Sequence, residues 1–182
     1  MSESSVNKGN HVIMLEVSVP ERLIAAAKEW VKGHPDRKLH MEQPHVTLVF
    51  VGKDLPAVAQ ESFVDAAAFI AGRINVKGGM KLLSTGKWAM FGGNRDHLVM
   101  GVQADPGLME LKVEAANYIT DRYFARVKDK LVIKGDHGVY RPHVTVATGP
   151  GQAYVQSVPG VVFPVTGVYV KTGDGNKFTH SV

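Results

Sequence analysis

The sequence predicts an α+β protein made of two duplicated lobes about a pseudo-twofold axis, with two mostly antiparallel sheets facing a central cleft and helices on the outside. Three observations carry that expectation. A short phrase occurs twice, Gln43-Pro44-His45-Val46-Thr47-Leu48-Val49 and Arg141-Pro142-His143-Val144-Thr145-Val146-Ala147, about half the chain apart. Each copy is preceded by the same succession, an apolar strand and then a helical stretch. The chain has 182 residues, enough for one well-buried domain, so the expected unit is residues 1–182 with 1–10 as a flexible leader.

The elements follow in order. His11 to Val19 is β-branched and apolar, as a central strand should be. Pro20 stops it and opens a helix through about Lys32, with Leu23, Ile24, Ala27, Trp30 and Val31 on one stripe. After Gly33-His34-Pro35-Asp36 comes the first repeated phrase as a strand to about Val51, then a second helix over about 57–71. Residues 74–83 read as a strand bent at Gly78-Gly79, and 87–91 as a short strand before a Gly-Gly turn and a strand over 97–102. Asp105-Pro106 has the form of an N-cap and first-turn proline for a helix over about 107–125. A short apolar segment, Leu131-Val132-Ile133, and a loop at 135–138 lead to the second phrase. A hairpin over 161–171 and 177–182 ends the chain.

Composition excludes several classes of function. There are no cysteines, which removes disulfides, thiolate metal sites, iron–sulfur clusters and thiol nucleophiles, and fits a reducing compartment. No signal-peptide pattern opens the chain and no apolar run approaches the ~18–20 residues that span a bilayer, so the expectation is a cytoplasmic protein with no membrane partner. A formal charge of +4 and a pI near 9.3 favour a polyanionic ligand, a nucleotide or short RNA, although no dense Lys/Arg block is present.

Within each repeated phrase the residue types divide by face. In a strand i and i+2 share a side, so His45 lies beside Thr47 and His143 beside Thr145, while Val46/Leu48 and Val144/Val146 turn the other way. Pro44 and Pro142 suit the entry to a strand. If both His/Thr faces line one groove, two imidazoles and two hydroxyls surround a volume suited to a tetrahedral phosphorus. An imidazole with a pKa near ~6.5 serves as base when neutral and acid when protonated, so a pair can divide the labour. The threonine hydroxyls would hold the non-bridging oxygens. This chemistry calls for no metal or other cofactor. A zinc site needs three or four ligands, and neither motif has a closely spaced companion.

Two His-x-Thr motifs in a cysteine-free α/β chain of this size resemble the 2H phosphoesterase superfamily, the LigT-like RNA 2′,3′-cyclic phosphodiesterases and their relatives. The resemblance extends over about residues 12–170: the opening strand ending in Val-Pro, the helix after it, Pro-His-Val-Thr-Leu-Val-Phe-Val-Gly and Arg-Pro-His-Val-Thr-Val-Ala. It implies a bilobal fold, His45 and His143 as catalytic acid and base, and Thr47 and Thr145 as phosphate ligands. It further implies a ribose phosphodiester substrate such as a 2′,3′-cyclic phosphate or a short RNA-like diester. The alternatives are a phage-type nuclease acting on cyclic di- or trinucleotide signals with the same four residues, and a nucleotide-binding module without catalysis.

Three more residues are candidate substrate contacts: Trp88, which could stack on a base, and Tyr140 and Arg141, just upstream of the second motif. His11, His34, His40, His97, His137 and His180 have no repeated partner and read as surface or capping residues. A monomer is expected.

Overall fold

The computed structural model describes residues 6–7, 10–52, 55–56, 60–92, 94–126, 140–151 and 160–182. Among them the chain runs β1 (Val6–Asn7), β2 (His11–Val17), α1 (Glu21–Val31), β3 (Lys38–Leu39), β4 (His45–Gly52), β5 (Leu55–Pro56), α2 (Gln60–Val76), β6 (Lys81–Phe91), β7 (His97–Val102), α3 (Pro106–Arg126), β8 (His143–Thr148), β9 (Val162–Lys171) and β10 (Lys177–Ser181). The expected segment Leu131-Val132-Ile133 and the loop at 135–138 lie outside the described residues.

β1 and β5 form a small ribbon of their own. The other eight strands belong to one antiparallel sheet, in the order β10-β9-β2-β4-β8-β7-β6, with β3 added on β8. β6 also pairs with β9, Lys81 to Leu83 against Val162 to Pro164, so the path returns on itself. Its thinnest point is the join of β4 to β8, where Val46↔Val144 is the one residue pair in register.

Alternation along the strands sorts the two faces. One cross-strand row passes Val168, Leu15, Val46, Val144, Met100 and Trp88, each paired with the next. Five of these are fully buried and Trp88 is 5% exposed. Helices pack beneath this sheet: α2 against β2, β9 and β10, α3 against α2 and β4, and α1 near β3 and β8. A carboxylate–guanidinium fork, Arg73 Nε and Nη2 donating to Glu114 at 3.0 and 2.6 Å, ties α2 to α3.

Backbone hydrogen bonds recur in matched sets. The Val17 N–H donates to the Pro44 carbonyl (3.0 Å) and the Val102 N–H to that of Pro142 (2.8 Å). Ser18 donates to Pro164 and Gln103 to Leu83, at 2.9 and 2.8 Å. Ser84 donates to Val161 and Val165 to Met80, both at 2.9 Å. Thus β2 with β4 and β9 is hydrogen-bonded as β7 is with β8 and β6.

The local signals at helix starts are as expected. The Asp105 carboxylate accepts from the Leu108 N–H at 2.8 Å, capping α3. Pro20 stands just before α1, and its carbonyl accepts from Leu23 and Ile24. The expectation of a strand over 74–83 is corrected. α2 continues to Val76 because Ile70 and Ile74 lie on its buried face, and Gly78 and Gly79, at φ 78° and 100°, close its end with N–H bonds back to Asn75 and Ile74. The strand begins only at Lys81 and includes the short one expected over 87–91, with Gly86 (φ 71°) at its bend.

Leu15 is fully buried and lies beside Val46, in the strand next to the one that carries His45. Leu15→Ala is expected to cost about 2–5 kcal/mol, seen as a lower urea midpoint with an unchanged slope.

Candidate active site

The repeated phrases become the edges of one seam. Val46 and Val144 pair across it, and both side chains are fully buried on the core face. Carried one residue either way, this antiparallel register sets His45 across from Thr145 and Thr47 across from His143 on the opposite face. All four are half-buried. The four residues singled out from the sequence are therefore gathered at one place.

The strands then diverge, and other groups take up the backbone bonds that the seam lacks. On the β8 side, Lys38 and Leu39 pair with Thr148 and Ala147, and the His40 N–H donates to the Val146 carbonyl at 3.0 Å. On the β4 side, the Tyr140 hydroxyl donates to the Thr47 carbonyl at 2.7 Å.

The two imidazoles are held alike. His45 Nδ1 lies 2.9 Å from the Gln43 carbonyl, and His143 Nδ1 lies 2.9 Å from the Arg141 carbonyl. A carbonyl oxygen only accepts, so each Nδ1 must carry the proton and donate it. That fixes the tautomer and leaves both Nε2 atoms for other chemistry: a lone pair when the ring is neutral, an N–H when it is charged. Both anchoring carbonyls belong to the residue two before the histidine.

Burial lowers the pKa of His45 below its ordinary 6.5. The Gln43 carbonyl opposes this by stabilising the charged ring, while the fields of His40 and His143 reinforce it. His45 is thus poised as the neutral, proton-accepting imidazole near pH 7.

The flanking strands make the two sides unequal. Glu16 of β2 pairs with His45, and Gly101 of β7 pairs with His143. A Cβ on Gly101 would fall 2.5 Å from Thr85 Oγ1, so the absent side chain leaves room for Thr85. The Glu16 carboxylate leans toward Gly167 on β9, 3.1 Å from where a Cβ would stand. The Phe91 ring packs on His143, with centroids 4.6 Å apart and planes inclined by 33°.

The other sequence candidates fare differently. Trp88 is corrected: stacking requires an open ring face, whereas Trp88 is 5% exposed on the core face against Met100. Its indole N–H is buried without a hydrogen-bond partner among the described residues. Tyr140 is half-buried, with its hydroxyl committed to Thr47 and Lys112 Nζ 5.2 Å from its ring centre. Burial pushes its phenol well above the ordinary range. The Arg141 side chain is exposed beside the motif.

Phe91 and His40 were missed. Phe91 stands three residues along the strand from Trp88 and so on the opposite face, which the sequence would have shown only with the face of Trp88 known. His40 reaches the site through a turn that no local pattern marks. His137 lies outside the described residues. A hollow of about 690 Å³ between the end of α2, the start of β6 and β9 is lined by none of the four motif residues. No group of three or more His, Asp or Glu placed to hold a metal ion occurs among the described residues.

No family model and no curated protein sequence matches the chain. Solved structures do. TT0787 of Thermus thermophilus is 17% identical, with 94% of this chain and 94% of that chain covered and a TM-score of 0.55. The PDE domain of MHV ns2 is 18% identical, covering 87% of this chain and 98% of that one, with a TM-score of 0.52. E. coli LigT complexed with NADP+ is 16% identical, covering 98% and 96%, with a TM-score of 0.50. The fold is that of the 2H phosphoesterase structures.

Because the unfolded chain binds the His45 proton more readily than the folded one, stability is complete above about 6.5 and declines as pH falls from there through the lowered folded value. NMR titration should place the His45 Cε1–H midpoint below 6.5, and His40→Asn should raise it by removing one opposing field.

Proposed function

We propose that this chain, with its 2H phosphoesterase fold, is a metal-independent phosphodiesterase that cleaves a ribose 2′,3′-cyclic phosphate or a short RNA-like diester. The observation that carries this reading is the register at Val46↔Val144, which brings two His/Thr faces together with both Nε2 atoms unconstrained by their own backbone. Two solved structures of the same fold lend support: one is called a PDE domain and another holds NADP+, a nucleotide with ribose phosphates. The basic charge of the chain suits such a ligand.

In this mechanism His45, kept neutral by burial, takes a proton through Nε2 from water or a ribose hydroxyl. The resulting oxygen attacks phosphorus in line. His143, protonated, delivers the Nε2 proton to the leaving oxygen, so the pair exchanges one proton per turnover and the P–O bond that breaks is opposite the one that forms. The Nδ1–H bonds to Gln43 and Arg141 hold both rings in orientation and stabilise the charged form as it appears. The Thr47 and Thr145 hydroxyls donate to the non-bridging oxygens. The exposed Arg141 guanidinium can meet a second phosphate oxygen or a neighbouring phosphate.

The same proposal takes the chain as one unit of two lobes, β2, β4 and β9 facing β7, β8 and β6. Support comes from the matched hydrogen bonds at Pro44 and Pro142, at Pro164 and Leu83, and at Val161 and Met80.

The test is a substrate panel of 2′,3′-cyclic AMP, a 2′–5′ dinucleotide and a cyclic dinucleotide, assayed in excess EDTA with mass-spectrometric identification of the product. At least one should be turned over. His45→Ala and His143→Ala should each lower kcat by about 10²–10⁴-fold, and the pH–rate profile should be bell-shaped with its acid limb below the ordinary histidine range. Full turnover by either variant would rule out the assignment.

A further inference from the structure

The Tyr140 contact joins the two motifs in a way that neither motif shows alone. Tyr140 lies three residues before His143, yet its hydroxyl donates to the carbonyl of Thr47, 93 residues away. By the seam register, Thr47 is the residue that stands across from His143. The bond therefore links the lead into one motif to the backbone of the other, at the point where β4 and β8 have stopped pairing.

Geometry leaves that carbonyl with no strand partner on this side. Val46↔Val144 is the one pair, and past it β8 offers no backbone donor to Thr47. On the other side of the same pair the deficit is met by backbone, β3 and the His40 N–H. Here it is met by a side chain. The phenol is well suited: rigid, half-buried, packed against the core, and held in its protonated, donating form by burial. The position equivalent to Tyr140 before the first motif is Glu42, which is exposed, so the device exists on one side only.

We propose that Tyr140 is a positioning residue that sets the Thr47 hydroxyl against the His143 imidazole by clamping the Thr47 carbonyl across the seam. This rests on the phosphodiesterase reading for its catalytic consequence, but not for the clamp itself. Without the hydroxyl, Thr47 is held only from the β2 side, through Met14 at an irregular point of that ladder, and its O–H is less closely fixed beside His143. Removing the phenol oxygen should thus act through Thr47 and nowhere else.

Tyr140→Phe keeps the ring and its packing, and circular dichroism with a thermal melt would establish that it folds. Two readouts then decide. The first is NMR: the Thr47 carbonyl ¹³C and the His143 Cε1–H resonances should both move in Tyr140→Phe, while a residue of the edge strand β10 such as Phe178 should not; unmoved Thr47 and His143 signals overturn the clamp. The second is a double-mutant cycle with Thr47→Val on whichever substrate the wild type cleaves. Tyr140→Phe alone should lower kcat/KM about tenfold, and Tyr140→Phe/Thr47→Val should be no slower than Thr47→Val. Activity of Tyr140→Phe within twofold of wild type, or losses that multiply in the double variant, overturn the positioning role. If the wild type cleaves nothing, the phosphodiesterase reading falls and the NMR comparison alone decides the clamp.

Discussion

Everything at the candidate site depends on one backbone pairing. Val46 and Val144 are in register, and on either side of them the two strands part. A wider ladder would have buried the His/Thr residues among neighbours on a flat sheet. No pairing at all would have left the two motifs on unconnected edges. A single pair fixes the register, and with it which residue faces which. The cost is backbone left without strand partners, and β3, the His40 amide and the Tyr140 hydroxyl each take up part of it.

The same economy governs the imidazoles. Each ring is oriented by the carbonyl of its own segment, two residues back, so no distant carboxylate is needed to hold the tautomer. The rings nevertheless differ in surroundings. His45 is buried enough, and close enough to His40 and His143, to resist protonation. Stability and chemistry are therefore coupled at this residue. The environment that keeps His45 neutral near pH 7 is also the one that penalises charging it at low pH.

How far the sequence revealed this varies from element to element. The repeated Pro-His-Val-Thr was legible because a strand obeys a period of two, and four residue identities then followed onto one face without any knowledge of tertiary contacts. Asp105 was legible as a cap for the same local reason. The stretch after Arg73 was not, because β-branched residues and two glycines resemble a bent strand, whereas burial of Ile70 and Ile74 and the fork from Arg73 to Glu114 hold it helical. Trp88 was misread because an aromatic residue on a strand does not reveal which face it takes. Its partner Met100, itself paired with Val144 and known only from the register, places it inside. Tyr140 was noticed for its position, but a hydroxyl aimed at a carbonyl 93 residues away has no local signature.

The residues beside the two histidines make their surroundings unlike. Where β2 brings the carboxylate-bearing Glu16 alongside His45, β7 brings Gly101, which has no side chain, alongside His143. The bonds to Gln43 and Arg141 match, yet their flanks do not: a carboxylate leaning toward Gly167 on one side, Thr85 filling the place of a side chain on the other. The two sides of the seam are consequently distinguishable. Matched backbone therefore does not make the two histidines chemically interchangeable.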